Sequence, residues 1–228
     1  RRFTSDASHE LRSPLTAMRG ELELALRRER EPSEYRRVLA SSLEEVVRLS
    51  RITEDLLILA RSDTGALVVR PEPLEVAGTV EGVVERLRGQ ATDKGVTLDA
   101  RAAGDTTAEI DPVLLGQAVW NLLENAVRFT PPGGRIEVLS RDEGERVALV
   151  VEDEGPGFPP EMLDRVFDRF FRADPARSRP DEASGTGLGL AIVKGVAEAH
   201  HGSVEAANAP GGGARVTVRF PRSASRAG

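Results

Sequence analysis

Two apolar stripes constrain this chain more than any other feature. The first runs Leu11, Leu15, Met18, Leu22, and the second Leu39, Leu43, Val46, Leu49, Ile52, Leu56, Leu59. Three-and-four spacing is the period of one helix face. It predicts a helix from about Phe3 to Glu29 and another from about Glu34 to Ser62. Between them, Arg27-Arg28-Glu29-Arg30-Glu31-Pro32-Ser33 is a charged turn closed by proline, with Ser33 a candidate N-cap. Asp63-Thr64-Gly65 ends the second helix with glycine in the C′ position. Two long helices joined by a short turn form an antiparallel hairpin. A hairpin buries only one face of each helix, and no third helix follows before the pattern changes. The expectation is that two hairpins pair into a dimeric four-helix bundle; the alternative is that the hairpin packs on the rest of its own chain.

The first helix carries Ser8-His9-Glu10-Leu11-Arg12-Ser13-Pro14-Leu15-Thr16. At roughly 100° per residue, His9 falls nearly opposite the apolar stripe. An exposed imidazole beside the Glu10 carboxylate is what a nucleophilic histidine needs; it is also what an ordinary solvated pair looks like. Pro14 cannot donate to the carbonyl of Glu10, so the backbone beside His9 is locally freed and bent. The kink either serves the site or is merely tolerated.

Bulk properties narrow the choices. At 228 residues the chain holds one large or two ordinary domains. With 39% hydrophobic and 30% charged residues it is globular, and a net charge of -6 argues against a general nucleic-acid binder. Cysteine is absent, which rules out a disulfide frame, a thiolate metal site and a catalytic thiol. That fits a reducing compartment. No apolar run approaches the roughly 20 residues of a membrane span, and no signal peptide is seen.

Pro71-Glu72-Pro73 marks a composition break and reads as linker. Beyond it the periodicity mixes. Val76 to Ala91 reads as a helix with Val80, Val83, Val84 and Leu87 inward; residues 96–98 and 108–110 read as strands. Asp111 caps a helix with Pro112 at its first position, running to Phe129. Strands follow at 135–140 and 146–152, then an irregular stretch from Gly155 to Ser184. A helix from Thr186 to His200 precedes a closing strand pair, 203–207 and 214–220, turned by Pro210-Gly211-Gly212-Gly213. Strands with helices on one side make an α+β sandwich. His200 and His201, at a helix end before Gly202, read as structural.

Four stretches in this half carry chemistry. Asn121, Asn125 and Arg128 share one helix face at i, i+4 and i+7. Amide oxygens suit Mg²⁺ alongside phosphate oxygens and water, and an arginine would neutralise phosphate; an ordinary polar face has the same pattern. In Asp153-Glu154-Gly155-Pro156-Gly157, Asp153 stands just past a buried strand, where its carboxylate needs a donor such as an exocyclic amine. Gly155 and Gly157 let the backbone turn and approach a ligand, although a plain strand-ending turn looks alike. Phe167, Phe170 and Phe171 place three of the seven phenylalanines within five positions, as anchors of a flap, a small core cluster, or both; Arg172 follows, available to a terminal phosphate. Gly185-Thr186-Gly187-Leu188-Gly189-Leu190 opens a helix, where backbone N–H groups attract anions. It matches neither the dinucleotide fingerprint nor the P-loop.

Taken in order, these stretches resemble the catalytic core of the sensor histidine kinases of bacterial two-component systems. The H-box is His9 to Leu15, the N-box Asn121 to Thr130, the first glycine box Asp153 to Gly157, the F-box Phe167 to Phe171 and the second glycine box Gly185 to Leu190. The resemblance implies a dimerisation and phosphotransfer hairpin over residues 1–65, a linker at 66–73, an ATP-binding domain of the gyrase and MutL type at 74–222, and a disordered tail at 223–228. The resemblance further implies that His9 accepts the γ-phosphoryl of ATP with Glu10 as base, and that Asn125 is the Mg²⁺ ligand with Asn121 and Arg128 near the phosphates. It has Asp153 reading adenine, Phe129 beside the nucleotide, and Gly185, Gly187 and Gly189 shaping the end of a lid spanning about 158–184. Thr186 and Leu188 fall within the same box.

The implied activity is autophosphorylation on His9, then transfer to an aspartate in the receiver domain of a response regulator. The implied partners are a second copy of the chain and that receiver domain, with no nucleic acid, and with membrane attachment only through segments upstream. The implied location is a cytoplasmic domain of a membrane-anchored protein. Ser13 stands where many members have Thr or Asn, a position linked to dephosphorylating the partner. A net phosphatase is therefore one alternative, and a nucleotide-dependent interaction module without transfer, like gyrase or MutL, is another.

Overall fold

The computed structural model describes residues 2–171 and 186–222, and of residues 2–6 and 8–10 only the backbone. The chain forms two compact units, residues 1–60 and 61–228. The expected tail at 223–228 lies outside the described residues.

The first unit is the helical hairpin. Helix α1 spans Arg2–Leu26 and runs through Pro14; α2 spans Pro32–Asp63. One expectation changes at the turn: Ser33 is inside the helix. Pro32 takes the first helical position, where its missing N–H costs nothing. The carbonyl of Glu31 accepts from Glu34 N (2.9 Å) and Tyr35 N (3.3 Å) instead. The far end closes as expected. Gly65 adopts φ 64°, its N–H donates to Ser62 O, and Ala66 N–H donates to Arg61 O.

Burial varies along the hairpin. Ala25, Ser42, Ile52 and Leu59 are buried. Leu15, Leu39, Leu43 and Val46 are between 46 and 64% exposed. A shallow groove lined by Leu11, Leu15, Met18 and Leu22 runs along α1. A single hairpin has no third wall, so these side chains stay outside.

The second unit begins with an unexpected strand. Glu72–Glu75, whose first two residues fall in the expected linker, forms β1 and pairs antiparallel with β3 (Thr107–Ile110). The two prolines hid it, because proline is tolerated only at edges such as this two-stranded ribbon. Helix α3 (Val76–Lys94) buries Val80, Val83, Val84 and Leu87. Strand β2 (Thr97–Ala103) precedes β3, and α4 spans Pro112–Phe129. The Asp111 carboxylate caps α4 by accepting from Val113 N (3.0 Å) and Leu114 N (3.1 Å).

Strands β4 (Arg135–Asp142) and β5 (Arg146–Asp153) follow, then a short 3-10 helix, Pro160–Arg165, inside the stretch read as irregular. Helix α5 (Gly189–Ala199), β6 (Ser203–Asn208) and β7 (Ala214–Pro221) complete the unit. The main sheet runs β2-β4-β5-β7-β6, with β2 parallel to β4 and the rest antiparallel. The fold is thus a helical hairpin followed by an α/β layer, the class expected. Helix α4 lies between α3 and α5, and the inward residues Ile136, Val138, Val147, Leu149, Val218 and Phe220 are sealed beneath the helices. The other face of the sheet carries ion pairs such as Arg135–Asp99 (2.6 Å) and Arg215–Glu152 (2.6 Å). These solvated pairs keep it wet and contribute little stability.

Candidate functional site

The site is built where α4 meets the start of α5 and the end of β5. Helix α4 is apolar on most of its surface, with Leu115, Ala118, Val119, Leu122 and Leu123 buried. Asn121 is buried with them, and its Nδ2 donates to Gln117 O at 2.9 Å. Its Oδ1 is left facing α5. A Cβ on Gly189 would stand 3.0 Å from that oxygen and 3.2 Å from Asn125 Nδ2. Glycine at the first position of α5 therefore lets the helix N-terminus close on both amides. Asn125 and Arg128 are half-buried one and two turns on, and Phe129 is 43% exposed.

The end of α4 abuts the end of β5. A Cβ on Gly155 would lie 3.0 Å from Phe129 O and 2.7 Å from Asp153 Oδ1. Asp153 is buried; its Oδ1 accepts from Gly155 N (2.8 Å) and Ala214 N (3.2 Å). Both bonds fall on one oxygen; among the described residues none is seen to Oδ2, which leaves it for an incoming donor. Burial pushes the Asp153 carboxyl above its ordinary range; the two N–H groups act the other way, and Glu152 adds to the rise.

The second glycine box is described from Thr186. Gly187 has φ 68° and sits against the backbone of Phe170 and Phe171, where a Cβ would fall within 2.7 to 2.9 Å of their atoms. The F-box is thereby locked to the start of α5. Leu188 is fully buried, so its side chain belongs to the core, while its N–H donates to Thr186 Oγ1 at 3.3 Å. Gly157, at φ 70°, shapes the first glycine box against Asn208 rather than lining the gap near Asn121.

Of the residues expected from sequence, Asn121, Asn125, Phe129, Asp153, Gly155, Gly187 and Gly189 are brought into one neighbourhood. Ser13 lies exposed on α1. Arg172 and Gly185 lie outside the described residues, as do the side chains of His9 and Glu10.

Three supporting groups were not picked out from sequence. Lys94 Nζ donates to Val127 O (2.8 Å) and to Arg128 O, capping the C-terminus of α4 with a cation. The Asn208 side chain accepts from Phe158 N (2.7 Å) and donates to Phe158 O (2.8 Å), fixing where the chain leaves the first glycine box. Gly213, at φ 89°, lies so close to Asp153 that a Cβ would stand 1.7 Å from its carbonyl oxygen. The glycine run 211–213 signalled a turn, not this approach.

Both parts of the chain match known protein families. A family described as histidine kinase-, DNA gyrase B-, and HSP90-like ATPase matches residues 110–224, and one described as the His Kinase A (phospho-acceptor) domain matches residues 1–65. The chain is 39% identical over 220 residues to the sensor histidine kinase CusS of Escherichia coli K12, covering 96% of this chain and 45% of that protein. It is 39% identical over 203 residues to the sensor protein CopS of Pseudomonas syringae pv. tomato, covering 87% and 40%. The chain thus spans under half the length of these curated relatives. Among solved structures, the Acinetobacter baumannii histidine kinase AdeS superposes with a TM-score of 0.75 at 25% identity, covering 94% of this chain and 98% of that one. Full-length ShkA in complex with AMPPNP gives 0.71 at 28%, covering 96% and 45%.

Proposed function

The chain belongs to the sensor histidine kinases, and on that premise we propose that it phosphorylates itself on His9 from ATP and passes the phosphoryl group to an aspartate of a response regulator. The observation that carries the reading is the meeting of Asn121 and Asn125 with Gly189 at the start of α5. A buried and a half-buried amide on a largely apolar helix, faced by a helix N-terminus, suit phosphate oxygens and their cation.

In this reading the Asp153 carboxylate accepts from the adenine amine through Oδ2, while Gly155 and Ala214 hold Oδ1. Phe129 offers an exposed ring beside the base. Asn125 supplies the amide oxygen that would hold Mg²⁺, with Asn121 and Arg128 next to the phosphates and Arg172 at the terminal one. Bound Mg²⁺ would neutralise phosphate charge as it builds. In the same reading Gly185, Gly187 and Gly189 shape the end of the lid. A ring nitrogen of His9 forms the new N–P bond as the β–γ P–O bond breaks, and ADP leaves. Glu10 takes the proton from the other ring nitrogen.

The apolar groove on α1 and the exposed leucines of α2 support pairing of two hairpins into a four-helix bundle. Domain limits of 1–65, 66–73 and 74–222 follow from the same reading, with the linker running into the first two residues of β1. In this reading the chain is a cytoplasmic domain of a membrane-anchored sensor, on the side where ATP is supplied. Incubation with Mg²⁺ and γ-labelled ATP tests the reading: label should accumulate on the chain and move to a receiver domain, and a chain that binds ATP without acquiring label contradicts it.

A further inference from the structure

His200 does more than end a helix. The ring is buried, 5% exposed, and packs edge-on against Phe220 of β7 with centroids 5.9 Å apart. Nδ1 lies 2.8 Å from Val196 O, one turn back on α5, so it carries the proton. Nε2 then has a lone pair, and it accepts from Asp111 N at 2.9 Å. Asp111 is the N-cap of α4, and its Oδ2 also accepts from Arg70 N, in the segment that follows α2 (2.9 Å). One imidazole therefore ties the last turn of α5 to the first turn of α4 and, through Asp111, to the chain entering the domain.

The same two helices meet again at the nucleotide site, where Gly189 closes on Asn121 and Asn125. Helix α5 is only 11 residues long. Fixing its far end fixes how its N-terminus faces the amides. We propose that His200 is a positioning residue for the nucleotide site, holding α5 against α4 through the Asp111 N–H so that the second glycine box stays in register with the N-box. This rests on the nucleotide reading given above.

The device works only with a neutral ring, because a second proton removes the acceptor and sets N–H against N–H. Burial holds the imidazole below its ordinary range; the Val196 carbonyl and the Asp111 carboxylate act the other way, and His201 adds to the lowering. The unfolded chain takes up that proton more readily. Stability from His200 is therefore complete above the ordinary histidine range and is lost as pH falls toward the lowered value.

The test titrates Mg²⁺ and the non-hydrolysable imido analogue of ATP into the 228-residue chain and two variants. In His200→Gln the amide oxygen reaches the Nε2 position; in His200→Asn it reaches only the Nδ1 position. The Gln variant should bind within about twofold of wild type at pH ~7.5, and the Asn variant about fivefold more weakly, the worth of one hydrogen bond. Wild type should lose more affinity than the Gln variant between pH ~7.5 and ~5.5. A second measurement needs no variant. Bound analogue should shift the His200 titration, followed by imidazole NMR, to lower pH, because binding and the neutral ring favour each other. Equal weakening in both variants, or an unmoved titration, overturns the inference while leaving the nucleotide reading intact. Wild-type protein that fails to bind the analogue at any pH removes that reading and the inference with it.

Discussion

Gly189 and Asn121 touch across the gap between α5 and α4, with 3.0 Å between the Asn121 oxygen and the place a glycine Cβ would take. Such a contact is tight enough that any side chain on residue 189 must displace an amide. Gly189→Ala should therefore weaken nucleotide binding by about tenfold or more. Stability should change by less than about 1 kcal/mol, since alanine's better helix propensity offsets the crowding. Calorimetric titration and thermal unfolding on the same variant separate the two effects. Unchanged affinity would show that the amides are not where phosphate sits.

Asp153→Asn tests adenine reading. Its Oδ1 can still accept from Gly155 and Ala214, but the other atom becomes an NH₂ group facing a donor. Affinity for ATP should fall at least about tenfold, while stability holds or rises because a buried charge is gone. In wild type the carboxyl sits above its ordinary range. Burying the ionised form therefore costs stability, a cost present above the folded value and relieved as pH falls through it. Nucleotide affinity runs the other way: it should be full at neutral pH and drop on acidification, beginning above the usual carboxylate range. An acid limb at or below that range would contradict the assignment.

Much of this site was legible because its residues are set against their surroundings. Two amides on an apolar helix, an aspartate after a valine-rich strand and glycines at a helix start each break a local pattern. Capping at Asp111-Pro112 and at Gly65 was readable for the same reason. The strand at Glu72–Glu75 was not, because Pro73 within it and Pro71 just before it suit an edge and also suit a linker. Ser33 offered a better cap on paper than Glu31, but Pro32 fixed the helix start two residues earlier. Lys94, Asn208 and His200 were beyond sequence reading, because each acts on backbone from 33 to 89 residues away.

Lys94→Met removes the cation at the end of α4 while keeping most of the stem. Loss of two charged hydrogen bonds at a helix C-terminus should cost about 1–3 kcal/mol. Chemical denaturation gives the value directly. A variant as stable as wild type would mean that water replaces the ammonium without loss.

Gly213→Ala should be more damaging than any substitution above. The residue has φ 89°, and its Cβ would fall 1.7 Å from the Asp153 carbonyl oxygen. Backbone must move, at about 3 kcal/mol or more, and Asp153 moves with it. Soluble protein with wild-type unfolding midpoint would refute this account of the turn.

In the proposed reaction His9 receives the terminal phosphoryl group of a nucleotide held by the second unit. The direct measurement incubates wild type and His9→Ala with Mg²⁺ and γ-labelled ATP, and maps the label. Wild type should carry an acid-labile, alkali-stable phosphate on His9, and His9→Ala should carry none while binding ATP as tightly as before. Label that persists in His9→Ala, or that survives acid, would contradict the account.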